Sequence, residues 1–143
     1  MLKRLWLKNF VLADAVEISF QKGFNVITGE TGSGKSIVLA SLSFVLGDRA
    51  ESSLIRHGAS QATVEASFEL DPKMPAIEIL EEAGITLEDG ELIIKRDIAA
   101  NGKSRLFINH QSVTATLVKK IAPFLIEFCG QHTTTKLMDP RAP

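Results

Sequence analysis

The chain has 143 residues, 45% of them hydrophobic, with a formal net charge of −1. That is about one domain with enough apolar content for a globular core, and the balance of charge excludes the global basic field that announces a nucleic-acid binder, leaving a local patch or a missing segment for such a role. No stretch approaches the ~20 apolar residues of a membrane-spanning helix, and the single cysteine, Cys129, excludes an internal disulfide and fits a reducing cytosol, with a small buried hydrophobe as its expected role. Met1-Leu2-Lys3-Arg4 opens with charge, but Lys8 and Asp14 break up the apolar residues after it, so no secretory signal is expected.

Leu2 to Asn9 reads as a first strand, with Leu5 and Leu7 on one face and Arg4 and Lys8 on the other. Val16, Ile18 and Phe20 alternate with Glu17, Ser19 and Gln21, the period of a half-buried strand. Gln21-Lys22-Gly23 is a turn into a short buried strand, Phe24-Asn25-Val26-Ile27-Thr28. Gly29 to Ser36 is glycine-rich, and Ile37 to Leu46 is a helix, apolar nearly all round and therefore buried against a sheet. Gly47 ends it.

Asp48 to Ala62 is polar and punctuated, a surface loop. Thr63 to Leu70 alternates as a strand with one wet face. Pro75 to Ala83 is a short helix stopped by Gly84. Glu91 to Ile98 and Ser104 to Asn109 flank Asn101-Gly102, a hairpin signal. Ser112 caps a helix through Lys120, with Val113, Leu117, Val118 and Ile121 inward. Phe124 to Phe128 is a last buried strand leading into Gly130-Gln131-His132. Alternating strands around the hairpin and short, fully apolar strands elsewhere predict an α/β core with an antiparallel sheet packed beside it.

Gly29-Glu30-Thr31-Gly32-Ser33-Gly34-Lys35-Ser36 fits the phosphate-binding P-loop pattern: Gly, four residues, then Gly-Lys-Ser. A strand before it and a helix after it are what that loop needs, because the helix N-terminus faces the phosphates. Gly29, Gly32 and Gly34 lack a Cβ, so the backbone can approach an anion closely and turn its N–H groups inward as a nest. Lys35 is the expected point charge on the β- and γ-phosphates, and Ser36 the hydroxyl ligand of magnesium. The run from Gly29 through Ile37 is therefore the expected contact surface for a nucleoside triphosphate with Mg2+. A glycine-rich turn matching by chance is the competing reading, and the flanking strand and helix weigh against it.

The opening Leu5-Trp6-Leu7-Lys8-Asn9-Phe10 resembles the start of SMC-like and ABC-type DNA-repair ATPases. Asn25 to Ser36, Leu46-Gly47-Asp48-Arg49-Ala50, Ile55-Arg56-His57-Gly58, Gly102-Lys103-Ser104-Arg105-Leu106-Phe107-Ile108-Asn109 and Gly130-Gln131-His132 together resemble the RecN family of bacterial recombination and repair proteins. The matches span nearly the whole chain in family order. In that family the ATPase head is split: an N-terminal lobe carries the P-loop and a glutamine loop, a long coiled coil comes next, and a C-terminal lobe returns the signature motif and the Walker B acid.

The resemblance implies an α/β, P-loop NTPase fold of the ABC/SMC head type, with residues 1–143 as the N-terminal lobe and an adjoining antiparallel β-sheet. Phe124-Leu125-Ile126-Glu127 and Leu92-Ile93-Ile94-Lys95-Arg96-Asp97 are poor imitations of Walker B, no Leu-Ser-Gly-Gly occurs, and no heptad run is present, so the chain is expected to be a fragment.

By the same resemblance Gln131 is the glutamine-loop residue that contacts magnesium and senses the γ-phosphate, and an amide carbonyl suits that hard cation. His132 is a surface or neighbouring residue. Arg56 corresponds to the arginine loop linked to nucleotide and DNA coupling, with a solvated arginine as the alternative; Arg49 and Arg105 are weaker candidates. Lys8 and Asn9 stand near where base or ribose often lies, and Trp6 belongs equally to core or interface. Arg96, Lys95, Lys103 and Arg105 cluster around the hairpin, where a phosphate-contacting edge competes with a solvated face.

The implied function is ATP binding and head engagement in DNA double-strand-break repair. Its partners are the protein's own C-terminal lobe, a second head in a homodimer, and DNA, in the bacterial cytoplasm at the nucleoid and away from membranes. Hydrolysis is expected only with the missing parts, so this chain alone is expected to be inactive. ATP is favoured over GTP because no Asn-Lys-x-Asp guanine reader is present. The alternatives are a non-catalytic P-loop binding or dimerisation module and an unrelated P-loop kinase or NTPase.

Overall fold

A computed structural model describes residues 2–20 and 32–126, with the backbone alone at 32–36 and 126. The strands are β1 (Leu2–Phe10), β2 (Ala13–Ser19), β3 (Gln61–Glu69), β4 (Glu91–Ala99), β5 (Ser104–Ile108) and β6 (Gln111–Val113), and the helices α1 (Gly32–Val45), α2 (Pro75–Glu82) and α3 (Ala115–Ile126). All six strands join one antiparallel sheet in the order β2-β1-β3-β4-β5-β6. The expected strand Phe24 to Thr28 lies outside the described residues.

Period two sorts the sheet into two faces. Cross-strand partners share a face, so Leu7, Val64, Arg96 and Leu106 form one row, and Leu5, Ala66, Ile94 and Ile108 form the next. The apolar members of both rows are buried, and α1 packs on this face against β3 and β4. Each such Leu, Ile or Val contributes roughly 1.5–3 kcal/mol on leaving water. Val38, Leu42, Phe44, Val45 and Leu46 are buried with Ser41, which fits the nearly unbroken apolar character of α1; Ser41 satisfies its hydroxyl on the Val38 carbonyl at 2.8 Å.

Helix α1 stops in the manner its sequence indicates. Gly47 has φ +108°, its N–H donates to the Phe44 carbonyl at 3.3 Å, and the Asp48 N–H donates to the Ser43 carbonyl at 3.0 Å. That pair of bonds is the Schellman closure, and its left-handed residue is best a glycine. The Asn101-Gly102 signal is also borne out. Gly102 N–H donates to the Ala99 carbonyl at 2.8 Å and Gly102 takes φ +87°, while Asn101 Oδ1 accepts the Lys103 N–H at 2.9 Å. The loop is thus built on a hydrogen-bonded turn with its glycine left-handed, wider than the two-residue form.

Three expectations are corrected. Phe124 to Ile126 is helix rather than strand, because Val118, Ile121, Ala122 and Leu125 recur at the 3.6-residue period and are all buried. A continuous apolar run does not by itself distinguish the two, and Pro123 sits within α3 without ending it. Ser112 belongs to β6, and α3 is capped by Thr114, whose Oγ1 accepts the Leu117 N–H at 3.2 Å. Val16 is 38% exposed on edge strand β2, beyond β3 and β4 where α1 packs. Strand β6 is an addition to the expected elements; Asn109 (φ +46°) and His110 (φ +72°) make the tight turn into it, and asparagine tolerates that conformation.

Candidate nucleotide-binding site

Helix α1 begins at Gly32, inside the Gly29 to Ser36 pattern. Gly32, Ser33, Gly34, Lys35 and Ser36 therefore lie at its N-terminal end, and no acidic residue occurs in the first turn. The first N–H groups of a helix have no intrahelical partner, and the macrodipole leaves about half a positive charge there. A backbone anion site needs this arrangement, and an acid there would oppose a phosphate. The donor set is thus suited to a phosphate chain. Gly29, Glu30 and Thr31 lie outside the described residues, as do Gln131, His132 and Cys129. Ile37 is half-buried, one residue beyond the motif.

The Arg56 segment is held at the far end of β1. Val11 N–H donates to the Leu54 carbonyl at 2.6 Å, Ile55 bridges Phe10, and Arg56 N–H donates to the Asn9 carbonyl at 2.8 Å. Asn9 (φ +52°) and Val11 (φ +53°) are both left-handed. For β-branched Val11 that conformation is strained, and the surrounding bonds hold it. The structure so brings Asn9 and Arg56 together, with the Arg56 side chain exposed. Lys8 points elsewhere: it shares the row of Thr63 and Asp97, on the sheet face opposite α1. Trp6 is half-buried on that same outer face, opposite Glu17 and Glu65. Arg49 is exposed.

The hairpin cations separate. Lys95, Lys103 and Arg105 lie on the outer side of β4 and β5 or at the turn, half-buried or exposed. Arg96 does not join them in a phosphate-contacting edge. It is 4% exposed and faces α1. Its Nη1 donates to the carbonyls of Phe44, at 2.6 Å, and Asp48; its Nη2 donates to Ser104 Oγ at 3.3 Å. The guanidinium carbon lies 4.6 Å from the Phe44 ring centroid, within cation–π range. Burial lowers the Arg96 pKa, and the Asp48 carboxylate acts in the opposite sense.

Asp97, last of the weaker Walker B imitation, accepts a 2.9 Å bond from Thr63 Oγ1 on the outer face. The other imitation begins inside helix α3. Asn109, in one of the family-like stretches, is structural: its Oδ1 accepts the Ile93 N–H at 2.7 Å and its Nδ2 donates to the Glu91 carbonyl at 3.2 Å. Sequence reasoning missed the Arg96 role. The available signal was a cation at an inward position of an alternating strand, between Ile94 and Ile98.

Among the described residues no group of three or more His, Cys, Asp or Glu side chains gathers as a metal cluster, and no helix is long and apolar enough to cross a membrane. Known proteins share both the sequence and the fold. Over 138 residues the chain is 38% identical to the DNA repair protein RecN of Halalkalibacterium halodurans, covering 96% of this chain and 24% of that protein. Against the DNA repair protein RecN of Haemophilus influenzae it is 39% identical over 140 residues, covering 96% of this chain and 25% of the relative. The chain thus spans about a quarter of the length of the relatives it matches. An SMC ATPase structure, from work on ATP-driven dimerization and DNA-stimulated activation, superposes with a TM-score of 0.68 at 26% identity, covering 97% of this chain and 92% of that one. The family model for the RecF/RecN/SMC N terminal domain matches residues 1–126. With an SMC-type head fold and a P-loop sequence opening its buried helix, the chain belongs to the RecF/RecN/SMC N-terminal domain family.

Proposed function

We propose that residues 1–143 are the ATP-binding N-terminal lobe of a RecN-like ATPase head that acts in DNA double-strand-break repair and recombination. The observation that carries this reading is the start of α1 at Gly32, which sets Gly-Lys-Ser at the mouth of a helix buried against the sheet. The RecN relatives named as DNA repair proteins supply the biological setting.

In this reading the amides of Gly29 to Ser36 line the phosphates, Lys35 offsets the charge of the β- and γ-groups, and Ser36 with Gln131 holds magnesium. Bound magnesium would supply Lewis-acid neutralisation of phosphate charge. Ile37 comes directly after the loop, and Arg56, whose backbone is moored to Asn9, is the candidate cation for a further nucleotide contact. The C-terminal lobe and a second head bring the Walker B acid and the signature motif, so that ATP joins two heads, as the ATP-driven dimerization of the SMC neighbour suggests. DNA engagement belongs to the whole protein, in the bacterial cytoplasm.

Isothermal titration of the chain with a non-hydrolysable ATP analogue and Mg2+ tests the reading. Binding is expected, and Lys35→Ala weakens it by about 10- to 100-fold, the loss of one charge-assisted contact. Steady-state ATP turnover is expected to be absent from this chain and present in the full-length protein. Absence of binding to both, or rapid turnover by residues 1–143 that Lys35→Ala abolishes, would overturn it.

A further inference from the structure

Two of the family-like stretches lie outside the Gly29 to Ser36 pattern: Leu46 to Ala50, just after α1, and Gly102 to Asn109, in the hairpin. The fold brings them to one buried cation. Arg96 Nη1 bonds the Phe44 carbonyl in the last turn of α1 and the Asp48 carbonyl just past it, and Nη2 bonds Ser104 Oγ on β5. Among the described residues Arg96 Nε has no hydrogen-bond partner, so the guanidinium is held by the helix end and by Ser104 and by no ion pair within bonding distance. The Phe44 ring lies beneath it, and Phe44 in turn packs on Phe10 with centroids 5.5 Å apart. Phe10 bridges Ile55, next to Arg56.

A charge buried in this way is costly unless every bond it makes is used. An apolar residue of similar volume would fill the site at lower cost if packing were its only task. What the guanidinium adds is direction. One arm of its planar fork, Nη1, holds the Phe44 carbonyl in the last turn of α1 and the Asp48 carbonyl just past it, and the other, Nη2, holds Ser104 Oγ on β5, so the helix end is set against the sheet at one height and one rotation, where the negative end of the macrodipole favours a cation. A helix is stiff along its axis, and Ser36 is about 12 Å from Phe44 at 1.5 Å per residue. Fixing one end of α1 therefore fixes the height of the other, where phosphate-binding geometry tolerates only small errors.

We propose that Arg96 is a positioning residue for the nucleotide site: by clamping the C-terminal carbonyls of α1 to β4 and β5 it sets the axial position of the phosphate-binding turn. The proposal rests on the ATP-binding reading above. It predicts an effect on ligand affinity and on the amides of Gly32 to Ser36 larger than the accompanying loss of stability explains.

The test compares the full chain with Arg96→Met, Arg96→Lys, Ser104→Ala and, as a core-damaged reference, Leu80→Ala in α2, which packs on α3. Affinity for the non-hydrolysable ATP analogue with Mg2+ is measured where each variant is fully folded, and amide hydrogen exchange is followed at Gly32 to Ser36. Arg96→Met is expected to weaken binding at least about 10-fold, the size of one lost charged hydrogen bond, and to speed exchange in that turn. Arg96→Lys should fall between it and wild type, Ser104→Ala should lose roughly 2- to 3-fold, and Leu80→Ala should do neither. Equal affinity and equal exchange in Arg96→Met and Leu80→Ala would overturn the proposal. If Arg96→Met does not fold, the graded pair Arg96→Lys and Ser104→Ala decides, and wild-type behaviour in both overturns it. If the wild-type chain binds no nucleotide, exchange at Gly32 to Ser36 alone judges whether Arg96 governs that turn, and the ATP-binding reading fails when the full-length protein binds none either.

Discussion

Lys95 and Arg96 are neighbours on β4, carry the same charge, and live in opposite surroundings. Lys95 looks out of the sheet beside Glu65 and Phe107, its cross-strand partners. Arg96 looks inward beneath α1, with Val64 and Leu106 as partners and two backbone carbonyls as acceptors. The pleat alone separates them. The outer face can change most of its side chains at small cost because water remains available to most of its polar groups, the buried Thr63 apart. The inner face cannot, since its apolar atoms are packed and, among the described residues, its buried side-chain polar atoms other than Arg96 Nε are hydrogen-bonded. A polar residue therefore means something different on each side of the same strand: solvation outside, a specific structural task inside.

Substitutions on the two faces sharpen that contrast. The largest effect is expected from Phe68→Ala on β3, whose ring is fully buried. Truncation should lower unfolding free energy by about 3–5 kcal/mol, read as a lower urea midpoint with an unchanged slope. Thr63→Val tests the outer face where it is most structured. Thr63 is only 6% exposed although it faces outward, and it donates to Asp97 Oδ1 at 2.9 Å. A loss of about 1 kcal/mol is expected, and a loss equal to that of Phe68→Ala would erase the distinction between the faces. The smallest effect should come from the Arg4–Glu17 pair at 3.1 Å, with both side chains more than half exposed. A double-mutant cycle is expected to give a coupling below about 1 kcal/mol, fading further as salt is raised.

Much of this architecture is legible in the chain itself. The P-loop pattern, the buried helix behind it, the Gly47 stop, the Thr63 and Glu91 strands and the Asn101-Gly102 hairpin all rest on local rules: residue period, glycine conformation and turn chemistry. Structure and expectation part where a local rule allows two answers. Phe124 to Ile126 is apolar without interruption, so strand and helix are equal until its buried positions are seen to continue the period of Val118 and Ile121. Ser112 and Thr114 are both plausible caps, and strand β6 takes the first of them. Arg96 sits in a run of hairpin cations and by sequence resembles the rest of them.

The sequence by itself determined the motif on which the proposed site rests, because a P-loop pattern is made from consecutive residues whose chemistry and spacing are contained in the motif. It also determined which strands alternate and where α1 ends. Only the tertiary structure decided that Arg96 meets Phe44 and Asp48 across 52 and 48 positions of chain, and that Arg56 is moored to Asn9. Those pairings depend on strand order and register, which arise from the whole set of buried side chains finding one mutually compatible packing.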